Sequence, residues 1–104
     1  MTDMQKLYTI CSLSDFMNYL GMDSEYDDDY VVRNKVNQAY RYAGGELDET
    51  LGENYPVDHP LTKELVLLYA TISYEQRAFT DNEEKRANQI AQKIRLRMRR
   101  KSNG

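Results

Sequence analysis

The densest group of ligand-type side chains is the run Asp23-Ser-Glu-Tyr-Asp27-Asp28-Asp29, and several carboxylates on a short loop are what a hard cation such as calcium requires. The spacing does not fit. Counted from Asp23, the sixth position is Asp28, where the helix-loop-helix calcium motif needs glycine, and the twelfth is Asn34, where it needs a bidentate glutamate. A charge cluster at the start of a following helix explains the run better, because exposed N–H groups there favour anions. His59, the sole histidine, stands beside Pro60 with no serine or cysteine nucleophile motif nearby, which suits a capping or surface residue. The 17 Asp/Glu supply many conceivable acid–base pairs, yet no pocket signature selects one. Gly44-Gly45 lacks the spaced glycines and the lysine of a phosphate-cradling loop. No catalytic residue, metal ligand or cofactor site is assigned, and the chain is expected to act without catalysis and to fold without a metal or cofactor.

The other group with chemical potential is cationic. Lys93, Arg95, Arg97, Arg99, Arg100 and Lys101 could neutralise phosphates, meet an acidic protein surface or simply be solvated. Along the same segment Ala87, Ile90, Ala91, Ile94 and Met98 lie on one face of a helix, which a tail that only binds phosphate would not require. That apolar face favours a protein partner, with Ile90, Ile94, Arg95, Leu96, Arg97, Met98, Arg99 and Arg100 as the candidate contacts. Leu96, at 100° per residue, points roughly opposite Ile90 and suggests a second contact made in an assembly.

The elements that must position these residues all read as helices. Ser12 or Ser14 as N-cap, apolar Leu13, Phe16, Met17 and Leu20, and Gly21 as stop predict a helix of about two turns. A second should run from about Asp28 to Ala43, with Val32, Val36, Ala39, Tyr40 and Ala43 on one face and Gly44-Gly45 ending it. Residues 46–58 read as a loop with at most one turn at Leu47 to Leu51. Pro60, with Asp58 or His59 before it, predicts the start of a third helix reaching about Phe79. Leu61, Leu65, Leu68 and Ile72 form one stripe of it, and Val66, Leu67, Tyr69, Ala70 and Tyr74 fill most of the remaining circumference, which makes it the central core element. Thr80-Asp81-Asn82 breaks that helix and caps a fourth, spanning about 82–101. The expectation is an all-α chain: one domain over 1–104, a small helical bundle of three to four helices with a core at about 12–80 and an extended basic C-terminal helix.

Composition narrows the class further. Residues 1–84 hold six Lys/Arg and all 17 acids, a balance of −11, whereas residues 85–104 hold eight Lys/Arg and no acid, a balance of +8. Such a bipolar chain favours contacts between unlike surfaces, which close into a ring when the rotation permits. Nine tyrosines against two phenylalanines supply amphipathic side chains of the kind interfaces use, although they could equally edge a small core. Cys11 is the only cysteine, so a disulfide within the chain is excluded and a reducing cytoplasm is the simpler home. The opening residues resemble neither a secretory signal nor a membrane span, so no membrane partner is expected.

Three segments of the chain resemble the head–tail connector, or adaptor, proteins of long-tailed bacteriophages. Ser12-Leu-Ser-Asp-Phe-Met-Asn-Tyr-Leu-Gly-Met-Asp23 looks like the family's opening short helix with its acidic loop. Asp28-Asp29 with Val32, Val36, Ala39 and Tyr40 is similar to its second helix, and Pro60 to Arg77, ending Tyr-Glu-Gln-Arg, to its apolar third. The likeness covers about residues 12–80 and rests on pattern and order; the first eleven residues lie outside it. It implies a structural virion protein at the neck, made in the host cytoplasm and forming a homo-oligomeric, generally twelvefold ring. That ring would join the portal to a stopper or tail-completion protein and extend a channel through which DNA passes without sequence-specific binding. A C-terminal helix commonly reaches toward the portal in that family, and residues 82–101 occupy the corresponding place. The alternative is a small helical nucleic-acid-binding or regulatory protein that uses the basic helix.

Overall fold

The computed structural model describes residues 3–21, 30–52 and 54–103, with side chains over 5–21, 33–52 and 54–100. The acidic run Asp23–Asp29 and the side chain of Val32 lie outside the described residues. Five α-helices follow one another: α1 (Asp3–Ile10), α2 (Leu13–Tyr19), α3 (Tyr30–Leu51), α4 (Pro60–Glu75) and α5 (Asp81–Asn103). The all-α bundle expected from the sequence is present, and no strand occurs among the described residues.

α2 forms where the sequence places it, because Ser12 and Asp15 make a reciprocal capping box. The Asp15 N–H donates to Ser12 Oγ at 3.0 Å and the Ser12 N–H to Asp15 Oδ2 at 3.4 Å. Gly21, at φ 74°, ends it in the left-handed conformation that costs glycine nothing. α4 begins on His59, whose Nδ1 accepts the Leu61 N–H at 3.1 Å, and Pro60 follows in the first turn.

Two boundaries differ from the sequence expectation. α3 does not stop at Gly44-Gly45 but continues to Leu51, so residues 46–51 are helix. Neither glycine takes a positive φ; Gly52 does, at 82°, and the helix ends there. The physical reason lies in packing: Leu7 of α1 stands over Gly44, with its Cδ2 3.4 Å from where a Cβ would be, an ordinary contact distance. The buried stripe Val36, Tyr40, Ala43, Leu47 and Leu51 runs at spacings of four and three straight through the glycine pair, and its burial outweighs the poor helix propensity.

α4 ends at Glu75 instead of Phe79. Gln76 turns into the left-handed region at φ 55°, and the Arg77 N–H donates back to Ile72 O at 3.1 Å to close the last turn. Four residues later Thr80 opens α5 with a second capping box: Glu83 N–H to Thr80 Oγ1 at 3.2 Å, and Thr80 N–H to Glu83 Oε1 at 2.9 Å.

α4 packs chiefly on α3 and also on α5, and α1 and α2 each pack on both α3 and α4. The core joins Leu7, Ile10, Cys11 and Phe16 to Val36, Tyr40, Leu47, Leu65, Val66, Ala70, Ile90 and Ile94. α4 is central to it, as the sequence predicts, although Leu65, Val66 and Ala70 are its fully buried positions and Leu68 is only half-buried. α1 is an element the sequence leaves unassigned; its Leu7, with Ile10 and Cys11 after it, is buried where α1 packs on both α3 and α4. Buried Tyr40 ties α3 to this segment by donating its hydroxyl to the Cys11 carbonyl.

Candidate functional site

α5 has two unlike sides, and each has a different task. Ala87, Ile90, Ala91 and Ile94 are buried, Ile90 and Ile94 completely, against the domain's own core. This corrects the sequence placement of Ile90 and Ile94 on a partner: both are consumed by folding. Met98, one turn further on, is half-buried at the edge of the same cluster. The apolar edge of the basic helix is therefore what fixes that helix to the bundle.

Two of its cations are also engaged inside the chain. Arg86 pairs with Glu64 on α4, Nη2 to Oε1 at 2.8 Å, and holds that carboxyl below the usual glutamate range through the hydrogen bond. Arg95 Nη2 donates to Thr50 O at 2.8 Å, in the last turn of α3, where unpaired carbonyls and the helix dipole favour a cation. Arg95 thus caps α3 from a neighbouring helix before it can serve any partner.

Arg97, Arg99 and Arg100 are exposed, and among the described residues they form no ion pair. Leu96 is 52% exposed in their midst, on the side away from Ile90 as the helical phase predicts. Gln92, Arg95, Leu96 and Arg99 line a surface groove of about 430 Å³, at successive helical spacings of three, one and three. Such a face can take a surface that offers carboxylates to the guanidinium groups and an apolar seat to the leucine.

No known protein-family model, curated protein sequence or solved structure matches the chain. The reading of the site accordingly rests on its own residues. Among the described residues no group of three or more His, Cys, Asp or Glu is placed to hold a metal ion, and no helix is long and apolar enough to cross a membrane.

The corner between α4 and α5 fixes the angle at which that face is presented. Arg77 pairs with Glu75 and forms a fork on Glu83, Nη1 to Oε1 at 2.6 Å and Nη2 to Oε2 at 3.0 Å. The Arg77 guanidinium first, and then the Thr80 N–H, hold the Glu83 carboxyl at about 2, well below its ordinary 4.5. The sequence marks this corner by its cap residues, but the pairing of Arg77 with Glu83 needs the left-handed turn at Gln76, for which no glycine or asparagine signals.

Sequence reasoning also passes over exposed aromatics. Of the tyrosines it groups together, Tyr40, Tyr55 and Tyr69 are buried, while Tyr8, Tyr19 and Tyr42 stand about half exposed. Helical phase separates Tyr40, already on the apolar face of α3 in the sequence, from Tyr42, because two residues apart on a helix point about 200° apart.

Proposed function

We propose that this chain is a non-catalytic structural subunit of the neck of a long-tailed bacteriophage, assembling into a ring that joins the portal to a stopper or tail protein and extends the DNA channel. The observation that carries this reading is the order of elements under the resemblance. A capped short helix (α2), a longer helix (α3) and an apolar helix (α4) that stops at Glu75, within the sequence Tyr74-Glu-Gln-Arg77, are followed by a helix whose exposed side is cationic beyond its first turn. The +8 balance of residues 85–104 beside −11 in residues 1–84 supports attachment through unlike surfaces. The attachment, to the portal or to a neighbouring copy, falls to Leu96, Arg97, Arg99 and Arg100, with Met98 at the margin, because Ile90 and Ile94 are enclosed in the core.

Co-sedimentation with purified phage portal rings tests this directly. Retention of the chain on portals, weakened by salt and by the pair Arg97→Glu and Arg99→Glu in a variant that still melts as the parent does, is the expected outcome. Absence of retention at any salt concentration contradicts it.

The acid-free cationic stretch favours one other reading, a nucleic-acid-binding protein. A salt-sensitive shift of DNA by the isolated monomer, with affinity falling as phosphate contacts are screened, would support that function instead.

A further inference from the structure

We infer that two copies of this chain meet through unlike helix faces, the Leu96–Arg99 side of α5 in one copy seating on the Tyr42–Glu49 side of α3 in the other. The contact rests on the assembly reading above and specifies which surfaces make it.

The α5 face excludes itself as its own partner. Residues 85–104 carry no acid, so a symmetric α5-to-α5 contact would set Arg99 beside arginines with nothing to compensate. A partner surface has to present carboxylates about one helical turn apart and an opening for an exposed leucine.

The chain offers such a surface on α3. Tyr42, Gly45, Glu46 and Glu49 recur at spacings of three, one and three and share one side of the helix, the same rhythm as on the α5 face. Tyr42 is 44% exposed and Glu49 is exposed. Burial first, then the charge of Glu46 and a hydrogen bond with it, and last the charges of Tyr69 and Glu49, raise the Tyr42 phenol above its ordinary range, which puts the Glu46 carboxylate on the Tyr42 hydroxyl and leaves Glu49 further along the same side. A half-exposed ring sharing one helix side with two carboxylates is the complement of a leucine sharing one side with an arginine.

Gly45 is the second observation. A glycine inside a helix costs about 1 kcal/mol relative to alanine, and such a residue usually has a packing reason. Gly44 at least faces Leu7, but a Cβ on Gly45 would meet nothing within 4 Å, so nothing in the described fold accounts for it. A neighbouring copy would. The missing side chain leaves a shallow seat between Tyr42 and Glu49 into which Leu96 of a second copy fits, with Arg99 reaching Glu49 or Glu46.

Charge exchange tests the contact. Sedimentation velocity of the full chain at low salt should show concentration-dependent association, and Glu49→Arg or Arg99→Glu alone should weaken it at least about tenfold. The double variant Glu49→Arg with Arg99→Glu restores the opposite-charge pair and should recover most of the loss. Gly45→Gln should abolish association while leaving the melting temperature equal or higher, which separates a lost seat from a lost fold. Association indifferent to both single reversals overturns the contact and leaves a ring through other faces standing. A two-copy species that obeys the exchange supports the contact and counts against the ring. A parent chain that stays monomeric at low salt overturns the contact.

Discussion

At the scale of single residues, the corner and the capping positions carry the sharpest expectations. Glu83 is held near 2 in the fold, against 4.5 for an ordinary glutamate, so its contribution is complete above about pH 4.5 and is lost as pH falls toward about 2. Glu83→Gln should flatten the acid side of the stability curve in that window, as denaturant unfolding at a series of pH values would record. Gln76, a non-glycine residue in the left-handed region, should gain on replacement by glycine, up to about 1 kcal/mol, because the Cβ is the source of the strain. Cys11 is buried and its thiol is pushed up to about 11, by burial first and then by the charge of Asp15. A thiol reagent at neutral pH should therefore label it only as fast as the fold opens, and labelling at the rate of a free peptide thiol would contradict its placement. Residue types revealed the caps at Ser12 and Thr80 and the proline start at Pro60, since those signals are local. They could not reveal Gln76, a non-glycine residue at the left-handed position where the Arg77 N–H closes the helix on Ile72 O.

Among the elements, burial decides what the helices can lose. Leu65 on α4 is fully buried, and Leu65→Ala should cost about 2–5 kcal/mol, with Leu68→Ala costing less because that side chain is only partly buried against the core. Ile94 belongs with Leu65: Ile94→Ala should lower the stability of the isolated chain itself by about 2–5 kcal/mol. For the same reason, removal of residues after Asn82 should unfold the bundle and not merely release a partner, since it deletes Ala87, Ile90, Ala91 and Ile94 from the core. The helix existed in the sequence as a clear amphipathic pattern, but periodicity cannot say whether an apolar face meets its own chain or another one. The long reach of α3 was legible in the spacing of Val36, Tyr40, Ala43, Leu47 and Leu51, and was obscured by two glycines that elsewhere end helices. Gly45→Ala should accordingly leave α3 intact and gain up to about 1 kcal/mol. α1 carries too few apolar positions in its eight residues for a periodic signal, and it becomes visible only once Leu7 is seen against Gly44.

For the whole molecule, the charge division of the sequence becomes a spatial one. Past its acidic first turn α5 carries cations and no acid along a bundle whose other segments are strongly acidic; Arg86 and Arg95 are held by hydrogen bonds within the chain, and the charge of Lys93 acts on Glu64. What is left, Leu96 with Arg97, Arg99 and Arg100, is surface without an internal structural duty, and it is suited to an acidic neighbour. Raising the salt concentration should weaken that attachment while leaving the core, which is apolar, unaffected. The measurement closest to the central claim is electron microscopy of the purified full chain, alone and mixed with portal rings, with the mass of each species determined in parallel. The expected result is closed rings of about a dozen copies, matching the portal's symmetry, as unlike-surface contacts that close require. Particles that never exceed one or two copies, with or without the portal, would contradict it.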